Sequence, residues 1–140
     1  MLRNATTMAE NGSYKATDEY ITTTYVMAVL WDDEKRAAIT EEHRKNPIGT
    51  PGKNGVAASI HSPDLARVLD KLRRAPLPGK EVRVELEPFK KYAIGLLPGK
   101  RGASVEILYD QVYATADECE HAVFLRRVEN MLKRYPNPRS

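Results

Sequence analysis

Three stretches decide the fold: Val82-Arg83-Val84-Glu85-Leu86-Glu87, then Tyr92 to Leu97, then Val105 to Tyr113. In the first, apolar and charged residues alternate strictly, the pattern of a strand with one buried and one wet face. Between the second and third, Pro98-Gly99-Lys100-Arg101-Gly102 reads as a hairpin loop. In the third, Val105, Ile107, Tyr109 and Tyr113 are expected to share one side. The three together predict an antiparallel meander.

Helix signals flank the meander. Downstream, Thr115-Ala116-Asp117-Glu118 reads as a capping box, a hydroxyl cap with a glutamate three residues on. The helix it opens should run to about Arg134, with Phe124, Leu125, Val128, Met131, Leu132 and Tyr135 as its apolar stripe. Upstream, Ser62-Pro63-Asp64 supplies a cap, a proline at the first helical position and an acid. Leu65, Val68, Leu69 and Leu72 then share one face, and Pro76, Pro78 and Gly79 close the segment.

The first half is less regular. Tyr20 to Trp31 is rich in β-branched and aromatic residues, which predicts a strand covered on both faces. Asp32 and Asp33 suit a helix start, and that helix should stop near Arg44, ahead of Asn46-Pro47. Its expected stripe is Ala37, Ala38 and Ile39. Gly49 to Gly55 reads as a loop and Val56 to Ile60 as a short strand. Residues 1–17 and 136–140 read as tails. The expectation is therefore a single α+β domain over 18–135, an antiparallel sheet of three to four strands packed by helices, with an α-β-β-β-α second half. That order resembles the double-stranded-RNA-binding domain in topology. The lysines that family places at the start of its last helix are replaced here by Asp117, Glu118 and Glu120, which argues against that activity.

At 140 residues the chain is long enough to bury a real core without staples. No apolar run reaches the ~20 residues of a membrane helix, so no membrane partner is expected. One cysteine, Cys119, excludes an internal disulfide framework and fits a cytoplasmic location. The net charge of +3 is uneven, −1 over residues 1–60 and +4 over the rest.

Catalytic and metal patterns are weak. Asp32-Asp33-Glu34 and Glu41-Glu42 fit a solvated first turn and outer helix face better than a carboxylate pair. His43, His61 and His121 are scattered, and the single Glu118-x-x-His121 falls short of a di-iron set. Cys119 lies in the first turns of its helix without a cysteine-enzyme motif around it. Neither glycine-rich loop has the ending of a phosphate cradle. No catalytic residue, cofactor or metal ligand is assigned.

Cations give the positive signal. Arg126, Arg127, Lys133 and Arg134 are expected to gather on the polar side of the last helix. Arg67, Lys71 and Arg74 repeat the layout on the middle helix, and Lys100-Arg101 tips the hairpin. Such residues neutralise backbone phosphates, which predicts a non-enzymatic protein that contacts nucleic acid. The alternative is a protein–protein module with Trp31, Tyr92, Tyr109 and Tyr113 as anchors. It would be an inhibitor of a partner or a self-assembling subunit, from a phage or other mobile element, with homo-oligomers allowed.

Overall fold

The computed structural model describes residues 16–48 and 61–138. The loop expected over 49–55, the strand over 56–60 and most of the expected first tail lie outside the described residues. Four helices and one sheet make up the rest. Helix α1 covers 16–30, α2 Asp33–Lys45, α3 Pro63–Arg73 and α4 Ala116–Arg134; strands β1, β2 and β3 cover Glu81–Glu87, Lys91–Leu96 and Glu106–Tyr113. The sheet is antiparallel in the order β1-β2-β3, so the α+β class and the α-β-β-β-α second half are as read.

The expected strand over Tyr20 to Trp31 is helix. Its middle, Thr22–Val26, is π-helical, and Met27–Leu30 returns to α geometry. Burial explains the outcome. Thr22, Val26, Met27, Val29 and Leu30 are buried, whereas Tyr20, Ile21 and Tyr25 are exposed. One side of a helix is apolar, and packing of that side outweighs a modest β preference. The threonines adapt too, since Thr23 Oγ1 donates to the Glu19 carbonyl one turn back at 2.9 Å.

The caps form as the sequence implies. Asp32, Ser62 and Thr115 accept from the backbone N–H of Lys35, Leu65 and Glu118 respectively. On α2 the buried positions are Ile39 and His43, four residues apart, while Ala37 and Ala38 are exposed. On β3 the shared side does not survive. The register jumps between Ala93↔Val112 and Ile94↔Leu108, so Tyr109, Asp110 and Gln111 bulge outward and Tyr109 is 68% exposed.

Two apolar clusters result, and α4 belongs to both. Phe124, Val128 and Met131 pack on α1, α2 and α3 through residues such as Leu30, Ile39 and Val68. Cys119 and Val123 pack on the sheet at Tyr92 and Ile94. Leu125, expected in the stripe, is 42% exposed. The end of α4 is tied back to α1: Trp31 Nε1 donates to the Tyr135 carbonyl at 2.8 Å, and the Tyr135 hydroxyl donates to Glu19 at 2.7 Å. No described helix is long and apolar enough to cross a membrane.

Gly95 is fixed by space rather than by backbone angle. A Cβ there would stand 2.6 Å from both Val105 Cγ1 and Val84 Cγ2, methyls on short branched side chains. Gly95→Ala should therefore cost about 1–3 kcal/mol of stability. Denaturant unfolding of the two proteins checks this; equal midpoints would show that the sheet opens there freely.

Candidate functional site

A cleft of about 540 Å³ lies between β3 and the stretch of α4 from Asp117 to Glu129, with Arg44 of α2 at one side. The β3 bulge makes the opening, because it carries Asp110 and Gln111 to the rim. Ile94, Leu108, Ala122 and Leu125 supply apolar walls. Asp117, Glu118 and Glu129 add carboxylates, and Arg126 adds a cation. His121 lies in the wall contributed by α4.

Behind His121 stands His43. Their Nδ1 atoms are 2.9 Å apart, so one ring donates a proton that the other accepts. His43 is 2% exposed, and its ring stacks on Phe124 at 4.0 Å between centroids with a 13° interplanar angle. Burial first, then the neighbouring His121 and His61, pushes the His43 pKa down to about 3. The His121 pKa is also lowered, chiefly by burial and then by Arg44, with Glu41 opposing. The pair is thus neutral at neutral pH. His121 keeps Nε2 as its second nitrogen, a neutral imidazole able to accept or donate a proton at the cleft.

The histidines were not expected to meet, since 78 residues separate His43 from His121. The legible hints were local: His43 follows Ile39 by one helical turn, and His121 precedes Phe124 by three residues. His61 also stacks against His43, 6.5 Å away between ring centroids, and its Nε2 lies 2.8 Å from the Asn46 carbonyl. Among the described residues no three metal-ligating side chains converge. Cys119 is fully buried on the sheet-facing side of α4, and burial raises its pKa to about 11, which keeps it a thiol.

The cations expected on the two helix faces and the hairpin are divided among separate partners. Lys71 and Arg74 both bond Asp18 of α1, at 2.9 and 3.3 Å, and hold its carboxyl below the usual range. Arg67 lies 5.8 Å from the Tyr25 ring centroid and 3.9 Å from Asp64. Lys133 pairs with Glu129 at 3.2 Å, and Arg126 lines the cleft. Arg127 turns inward and donates to the Glu81 carbonyl, while Arg134 lies over the Tyr135 ring. Lys100 and Arg101 remain exposed at the β2–β3 hairpin.

Comparison with known proteins names the relationship. Residues 29–136 match the family model described as the N,N-dimethylformamidase alpha subunit. The chain belongs to that family. It is 31% identical over 93 residues to the N,N-dimethylformamidase alpha subunit of Paracoccus aminophilus, an alignment covering 66% of this chain and 60% of that protein. The chain therefore spans about 60% of the length of the curated relative it matches. Membership in an enzyme-subunit family corrects the expectation of a non-enzymatic protein, whether a nucleic-acid binder, an inhibitor or a phage product.

The buried pair has a consequence for acid stability. Unfolded His43 takes up a proton near pH 6.5, but the folded residue resists it until about 3. Between those values the unfolded state binds more protons, so stability falls as the pH drops, by at most about 1.4 kcal/mol per pH unit for this group. Denaturant titrations across that range should show the slope. His43→Gln, which cannot be protonated, should flatten it; an unchanged slope would assign the acid sensitivity to other groups.

Proposed function

We propose that this member of the dimethylformamidase alpha-subunit family works as one subunit of an enzyme that hydrolyses a small N,N-dialkylated formamide. In that reaction water adds to the amide carbonyl, the C–N bond breaks, and formate and a secondary amine leave. The observation that carries the reading is the family match, which spans the whole cleft, the cluster on the sheet and all of the helical cluster but Val26 and Met27. The relative's name, an alpha subunit, supports action within an assembly that includes at least one other kind of subunit.

Surface features support a protein partner. Phe89, in the β1–β2 turn, is 89% exposed and holds a φ of 61°, a region that bulky residues rarely adopt. An exposed aromatic kept in a strained backbone fits an anchor that is buried on assembly. Tyr109 and Val112 expose further apolar surface at the β3 bulge. The cleft supports the chemistry in one respect, since the neutral His121 can take part in proton transfer.

The test is to purify the chain with its companion subunit and measure release of dimethylamine from N,N-dimethylformamide. The assembly should turn the amide over. An intact assembly inactive on a panel of N-alkylated formamides would overturn the reading. Phe89→Asn tolerates the same φ, so the chain should keep or slightly raise its Tm while binding the companion roughly tenfold or more weakly. Unchanged affinity would remove Phe89 from the interface.

A further inference from the structure

A second, smaller pocket of about 230 Å³ lies where the end of α3, the start of β1 and the last two turns of α4 meet. Lys80, Arg127 and Arg134 converge on it, against one carboxylate, Glu81. Glu81 is 6% exposed, and its carboxylate accepts from Asn130 Nδ2 rather than from a cation. Among the described residues, none of the three cations has a carboxylate within ion-pairing distance.

Arg127 is the most telling of them. One of its terminal nitrogens donates to the Glu81 carbonyl, which fixes the guanidinium plane. Its Nε–H is buried and has no acceptor. A buried donor on a charged group, left unmatched, is costly to the fold. Lys80 donates to the Arg73 carbonyl at 2.7 Å, and its pKa is lowered first by burial and then by the nearby Arg127. Lys80 and Arg127 therefore sit close enough to repel, while Glu81 and Glu120 attract Arg127.

We propose that this pocket is a binding site for a carboxylate. A planar two-oxygen anion matches the fork of a fixed guanidinium, and it would relieve the repulsion between Lys80 and Arg127. Leu72 and Met131 in the walls favour an anion with a small apolar body. The buried Glu81 carboxylate disfavours a doubly charged phosphate beside it. Two sources share this chemistry. One is a free short-chain acid, of which formate would be the product under the hydrolytic reading above; the other is an acidic side chain of the companion subunit.

The experiment reads the Arg127 Nε–H resonance of the full chain while acetate or formate is added, with chloride at matched ionic strength as control. Acetate should shift it saturably, with a midpoint on the order of millimolar, within the affinity open to so few heavy atoms. Chloride should not. Arg134→Gln and Lys80→Gln should each raise the midpoint about fivefold or more without unfolding the chain. Movement of the same resonance on assembly, with acetate then unable to compete, would assign the site to the companion's carboxylate. A resonance indifferent to acetate, formate and companion alike would overturn the proposal, as would unchanged midpoints in both variants. Amide hydrolysis is scored separately, so either proposal can fail while the other stands.

Discussion

One helix has to satisfy two apolar surfaces at once. On α4, Cys119 and Val123 face the sheet, while Phe124, Val128 and Met131 face the helical layer. Its outer face, from Asp117 to Arg134, stays in water, and the residues on the borders carry polar groups into half-buried ground. His121 and Arg127 occupy those borders, and each finds a partner on another element: His43 on α2, and the Glu81 carbonyl at the start of β1. The cleft and the smaller pocket open along the same two seams. The chemistry of this molecule is set by where a doubly packed helix meets its neighbours.

The parts legible in the sequence were those governed by neighbours along the chain. The strands of the meander, the three side-chain caps and the end of α2 before Asn46-Pro47 each rest on fewer than ten residues of context. Helix α1 was illegible for the same reason. Its β-branched run favours a strand locally, and only the helices packed on Val26, Met27 and Leu30 decide otherwise. The π-helical turn adds a residue to the repeat, which blurs the helical period in the sequence. The outward bulge of Tyr109 to Gln111 likewise depends on pairing with β2.

Charge misled for a related reason. Arginines and lysines on helix faces read as a surface offered to a polyanion, yet Lys71 and Arg74 meet Asp18 across 53 and 56 residues of chain. Much of the basic excess clamps helices together or lines the two pockets. Fold and charge layout alone were compatible with several functions, and membership in an enzyme-subunit family was needed to choose among them.

The tie between Trp31 and Tyr135 spans 104 residues, and it bears on how the protein is made. During synthesis α1 emerges first, with Met27 and Leu30 ready to be buried, but its partners on α4 are added last. At roughly 5–20 residues per second, the ribosome takes about 5–20 s to deliver them. Through that interval the apolar side of α1 has only α2 and α3 to lean on. A nascent chain held short of Tyr135 therefore leaves α1 without this fastening.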